Sequence, residues 1–140
     1  MARSRRRTQA PPPQRLILDS GAVIALSRND LRARATLTGA REAGVEVSIP
    51  SVVVAETVRG SAQDASVNRV IKAVGEVTSV EEGTGRVAGR LLGAAHSTST
   101  LDAVVVASAI ELGGGVVLTG DPEDLEPLAR AHPEVVIRPL

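Results

Sequence analysis

Apolar residues along this chain fall into short runs of strand length and longer runs at helical spacing. The short runs predict strands over Arg15–Leu18, Glu46–Ile49, Glu76–Val80, Val116–Thr119 and Val135–Ile137. Between them the spacing predicts helices over Ser20–Ser27, Leu31–Ala43, Val52–Arg59, Ala65–Val74, Glu82–Ala95, Leu101–Leu112 and Pro122–Ala131. The punctuation agrees: Asn29-Asp30 reads as turn and cap, Gly44 and Gly60 as helix stops, and Gly113-Gly114-Gly115 as a C-cap and loop. Strand and helix alternate along the chain, which predicts an α/β fold with a mostly parallel sheet of about five strands and helices on both faces. In such a sheet the carboxyl ends of the strands share one edge, where ligands bind.

Composition narrows the chemistry. A chain of 140 residues suits one domain, and its core must be aliphatic, because Phe, Trp and Tyr are absent. Stacking of bases on aromatic side chains is therefore excluded. The absence of Cys excludes disulfides and thiolate metal sites. With only two His, a metal site must be built mostly from oxygen, which favours Mg²⁺ or Mn²⁺ over Zn²⁺. His96 and His132 sit in loop or helix-end settings and read as surface residues.

The net charge of zero hides an asymmetry. Four of the 16 basic residues, Arg3, Arg5, Arg6 and Arg7, lie in positions 1–14, leaving 12 against 16 acids, a net of about −4 for residues 15–140. Positions 1–14 read as a basic, Pro-rich, disordered tail, either a contact to nucleic-acid phosphates or a solvated extension. No apolar run approaches the ~20 residues of a membrane span, and Ala10-Pro11-Pro12-Pro13 replaces a signal core, so the expected setting is cytoplasmic.

Four carboxylates stand inside or beside apolar runs: Asp19 after Leu16-Ile17-Leu18, Glu56 within Val52 to Gly60, Asp102 opening Leu101 to Ile110, and Asp121 after Val116–Thr119. Each has a structural reading. Asp19 can cap the helix from Ser20, Glu56 can pair with Arg59, and Asp102 can favour its helix dipole. Asp121 can cap a helix with Pro122 at its first position, and Asp124 can be a first-turn acid of that helix. As a set they fall at element ends compatible with one sheet edge. Like charges gathered there would stay partly protonated unless a cation balanced them.

These stretches, LDSGAVIAL, IPSVVVAETVRG, LDAVVVASAI and VVLTGD, resemble in order and spacing the PIN-domain family, in particular small VapC-type toxins. The resemblance covers nearly all of residues 15–140 and implies a PIN-like, three-layer α/β/α nuclease domain there. It implies a metal-dependent endoribonuclease using Mg²⁺ or Mn²⁺, acting on RNA, dimeric, and silenced by an antitoxin protein. Carried over, Asp19 and Asp102 are the core metal ligands, Glu56 and Asp121 complete the acidic pocket, and Thr119 orients ligands through its hydroxyl. Two departures from the family pattern are the Arg- and Pro-rich start and the scarcity of aromatics and Lys.

Other readings compete. A PIN-like module that binds nucleic acid or a partner without cutting keeps the same fold. A phosphoacceptor receiver domain would need adjacent early acids and a Lys at a late strand end, but Lys72 falls in a predicted helix. A dehalogenase-like phosphatase would need Asp two residues after Asp19, where Gly21 stands.

Overall fold

A computed structural model describes residues 14–140, so the tail reading for positions 1–13 lies outside the described residues. The strands are β1 (Arg15–Leu18), β2 (Glu46–Pro50), β3 (Val77–Thr78), β4 (Gly115–Thr119) and β5 (Val135–Pro139). All pair in parallel, in the order β3-β2-β1-β4-β5. The helices are α1 (Ser20–Ser27), α2 (Leu31–Glu42), α3 (Ser51–Thr57), α4 (Ala65–Val74), α5 (Glu82–Ala95), α6 (Thr100–Glu111) and α7 (Pro122–Ala129). They cover both faces of the sheet, giving three layers, as the alternating pattern predicts.

β1 is central because it is apolar on both faces. Leu16 sits beside Val47 and Val116, and Leu18 beside Leu118; all are buried except Val116, which is half-buried against the core. The order reverses between β1 and β4: the chain leaves β1 toward β2 and returns on the other side through β4. That switch point opens a crevice at the carboxyl ends of the two strands. α6 is apolar nearly all round and buries Ala103, Val105, Val106, Ala107 and Ala109. It packs against α5 in a helical pair and also touches α3, α7 and β4.

Most element bounds fall within a residue or two of expectation, the last helix ending at Ala129 rather than Ala131 and the last strand running on to Pro139, and three other departures have a clear physical reason. The third strand shrinks from Glu76–Val80 to Val77–Thr78, since only those two residues find partners, Ile49 and Pro50, on β2. α3 ends at Thr57 rather than Arg59, because Val58 is already extended. A 3₁₀ turn, Ala62–Asp64, which the apolar spacing does not announce, joins α3 to α4.

Candidate active site

Asp19 follows the last residue of β1, and its N–H still donates to Leu118 O across the ladder at 3.2 Å. Its side chain is 4% exposed. One oxygen, Oδ1, accepts from the Ala22 N–H at 3.0 Å, so Asp19 itself caps α1 and Ser20 does not. The capping reading is thus correct for one carboxylate oxygen and leaves the second for other work. Burial pushes the Asp19 carboxyl above its ordinary value, while the Thr119 hydroxyl and the Ala22 N–H oppose the shift and the Asp121 charge adds to it.

Thr119 ends β4 fully buried, with its Oγ1 accepting from the Asp121 N–H at 2.8 Å. That bond bends the chain directly after the strand. Asp121 occupies the N-cap position of α7 but makes no side-chain capping bond, so capping does not account for its carboxylate. Gly120, Asp121, Pro122, Glu123 and Asp124 line a cavity of about 280 Å³. The bend is possible because Gly21 has no side chain. A Cβ there would stand 2.9 Å from Gly120 N and 3.1 Å from Gly120 Cα.

Glu56 lies half-buried on α3, which packs against α1 and α6. The expected ion pair with Arg59 does not form. The Arg59 guanidinium donates instead to the carbonyls of Ala55, Val58 and Glu56, at 2.9 to 3.0 Å, and so caps the end of α3. Burial, then the charges of Asp102 and Asp19, push the Glu56 carboxyl up; the Ser20 hydroxyl and Arg59 pull weakly the other way. Asp102 sits in the first turn of α6 and accepts no hydrogen bond from the described residues. Burial, with Asp124, Asp19 and Asp121 adding, pushes it up to about 6.

Asp19, Glu56, Asp102, Asp121 and Asp124 therefore feel one another's charge at the switch-point edge. Among the described residues no three acids or imidazoles stand close enough to hold one ion. Each is fixed on a different element end, apart from Asp121 and Asp124, and the charges repel. The donor set nonetheless fits a hard divalent cation. It is all oxygen, three members are driven toward the protonated form, and among the described residues the one cation acting on any of them, Arg59 on Glu56, acts only weakly. His96, in a left-handed C-cap, and His132, 3.6 Å from Glu134, take no part. A larger cavity of about 310 Å³ lies at the strand starts, among Arg15, Leu16, Ala40, Val45 and Val116, and has no carboxylate in its lining.

Two contributors escape sequence reading. Ser20 has no His to activate it and could be read as a cap for α1, yet the cap is Asp19 and the Ser20 hydroxyl acts on Glu56, drawing its carboxyl slightly down. Asp64 accepts from the N–H groups of Arg59, Gly60 and Ser61 at 2.6 to 3.1 Å and so fixes the exit of the helix that carries Glu56. The Ser61-to-Asp64 capping-box spacing is the signal that could have revealed it.

Solved structures share this fold. A chain of the crystal structure of VapBC2 from Rickettsia felis, bound to a DNA fragment from their promoter, superposes with TM-score 0.72 at 12% identity, over 89% of this chain and 98% of that one. A chain of the DNA-bound VapBC structure from Salmonella typhimurium gives 0.68 at 15% identity, over 90% and 98%. A chain of a toxin-antitoxin complex from Klebsiella pneumoniae gives 0.66 at 18%, over 86% and 95%. At these identities the likeness is one of fold. No curated protein matches the chain. The PIN domain profile matches residues 16–130, most of the chain, and the protein therefore belongs to the PIN domain family.

Proposed function

We propose that this protein is a metal-dependent endoribonuclease and the toxin half of a toxin-antitoxin pair. The observation that carries the reading is the set of mutually charged, unneutralised carboxylates at the β1/β4 switch point, with Asp102 pushed up to about 6. Membership of the PIN family and the toxin-antitoxin complexes among its structural neighbours support it.

Asp19 and Asp102 would hold Mg²⁺ or Mn²⁺, with Glu56 and Asp121 completing the pocket and Asp124 at its border. Bound there, the ion would supply a nucleophilic water near neutral pH and charge stabilisation at phosphorus. The protein groups do the rest. Ala22 N–H locks one oxygen of Asp19 and so orients the other. Thr119, by holding the Asp121 N–H, fixes the loop that presents the Asp121 carboxylate. Glu56, half-buried and raised in pKa, is suited to take the proton of an attacking water at its carboxylate oxygen. A homodimer and a cognate antitoxin protein are the expected partners. No helix among the described residues is long and apolar enough to cross a membrane.

A second reading, a PIN module that binds without cutting, draws on the separation of the acids. Cleavage of total RNA by the purified protein tests both. Discrete fragments that require Mg²⁺ or Mn²⁺, vanish with EDTA and vanish in Asp102→Asn are the expected result. RNA binding that is indifferent to metal, without cleavage in any lane, overturns the nuclease.

A further inference from the structure

The cationic side chains of this protein are not spread evenly. Residues 20–75 hold seven of them against five acids, whereas residues 76–140 hold four against ten. Within the first set, Arg34 and Arg41 on α2 and Arg69 and Lys72 on α4 are all exposed. Among the described residues none of these four has an acid within ion-pairing distance. Of the acids on or beside these helices, Asp30 and Asp64 are committed to backbone N–H groups, of Ala33 and of Arg59, Gly60 and Ser61, while Glu42, exposed after Arg41, forms no ion pair with the strip.

The two helices hold these cations in one strip. Arg34 and Arg69 line a single cavity of about 160 Å³, floored by Leu26, Leu37 and Val70. Arg41 Nη2 reaches across to the Ala73 carbonyl at 2.6 Å, tying α2 to the end of α4. The strip also has a direction. α4 starts immediately after Asp64, whose carboxylate grips Arg59, and Arg59 in turn bonds the Glu56 carbonyl. One end of α4 therefore adjoins the carboxylate site, and a helix of 10 residues runs ~15 Å away from it.

We infer that the α2–α4 face, through Arg34, Arg69, Arg41 and Lys72, is the contact surface for the phosphate backbone of the RNA strand leading into the carboxylate site. The inference rests on the nuclease reading and names where its substrate lies. A site built of carboxylates repels a polyanion, so the grip must come from elsewhere, and among the described residues this strip is carried by a helix, α4, whose start adjoins the acids. Guanidinium groups suit phosphate through their paired N–H donors. The aliphatic floor accepts ribose or a base face, with no stacking available from aromatic side chains.

The test is RNA binding against salt. The full chain carrying Asp102→Asn, which removes cleavage, is titrated into a labelled single-stranded oligoribonucleotide across a salt series. In that background Arg34→Gln/Arg69→Gln should lower the slope of log K on log salt by about 1.4, at about 0.7 per lost contact on a single strand. The same slope corresponds to about 25-fold weaker binding at 0.1 M salt relative to the 1 M reference. Arg34→Lys/Arg69→Lys should keep the slope, which separates lost charge from lost folding. Arg86→Gln/Arg90→Gln, on the acidic half, should leave it unchanged, and the N-terminal arginines contribute equally to every form. An unchanged slope in Arg34→Gln/Arg69→Gln overturns the inference and leaves the face to a protein partner, with the nuclease reading intact. A slope lowered equally by Arg86→Gln/Arg90→Gln also overturns it. Absence of RNA binding in every form counts against the nuclease reading itself.

Discussion

Gly21→Ala is the sharpest probe of how this site is assembled. Position 21 lies in the first turn of α1, where Ala is ordinarily favoured over Gly by up to about 1 kcal/mol. On helix propensity alone the substitution should stabilise the protein. The geometry predicts the opposite. The added Cβ would meet Gly120 N at 2.9 Å and Gly120 Cα at 3.1 Å, against an ordinary contact of roughly 3.5–4 Å, and both obstacles are backbone. Something must move by about half an ångström or more. Overpacking of this kind costs about 1–3 kcal/mol, which against the full propensity gain of about 1 kcal/mol leaves a net loss of up to about 2 kcal/mol. At this chain size that is a fall in Tm of up to about 7 °C.

Gly120→Ala is the control. A Cβ there meets Gly21 Cα and Leu140 Cδ1 at 3.6 Å, an ordinary contact, and Gly120 is not in the left-handed region. It should be neutral or stabilising by about 0.4–1 kcal/mol through the unfolded chain. Urea and thermal unfolding of both variants give the comparison. Because Gly120 precedes Asp121, Gly21→Ala should also shrink the rise in Tm on adding Mn²⁺. A Gly21→Ala protein as stable as wild type, with an unaltered Mn²⁺ response, would show that the β1 and β4 loops are not in the contact described.

Further expectations concern the acids. In metal-free protein, Asp102 has its folded pKa at about 6, above the unfolded value of 3.8, so its charge opposes folding above that window. Thermal stability attributable to it should therefore rise as pH falls from 6 toward 4, with Asp19 and Glu56 acting in the same sense, and a shallower profile in Asp102→Asn would identify its share. Asp102→Asn without metal should match or exceed wild-type Tm at pH 7.5 while losing cleavage, measured by melting and RNA assay on one preparation. Mn²⁺ at about 100 times its Kd should stabilise wild type by about 2.7 kcal/mol and leave Asp102→Asn nearly unmoved, as thermal shift would read. Asp64→Ala strips an acceptor from the N–H groups of three residues and should lower Tm more than Asp30→Ala, which strips one.

The sequence announces those parts of this molecule that periodicity controls. β1, α1 and α4 are bounded as expected, and the alternation of runs requires the parallel sheet. What it hides is set by packing between distant segments. β3 has the composition of a five-residue strand but keeps only the two residues that reach β2. The Arg59–Glu56 spacing suits an ion pair, but three free carbonyls at the end of α3 hold the guanidinium instead. The site acids are recognisable one by one from their apolar surroundings. Their separation is not, because it depends on the Gly21–Gly120 approach, 99 positions apart in the numbering.

A comparison of Asp64 with Asp102 supports the site proposed at the switch point. Both are aspartates at helix starts in the same small domain. Asp64 is surrounded by N–H donors, and its carboxyl is held below the ordinary value. Asp102 has no donor, lies among Asp124, Asp19 and Asp121, and is held well above it. The fold thus neutralises an acid where that acid shapes a turn, using nothing more than a tight loop. It has cations to spare as well, since among the described residues Arg34, Arg69 and Lys72 stand without ionic partners on another face. Placing one of them beside Asp102 would relieve the repulsion, as would a leucine in place of Asp102 on a helix otherwise buried. Neither is present. A cost in stability concentrated at the crevice where open α/β sheets bind ligands is what a site awaiting an external cation requires.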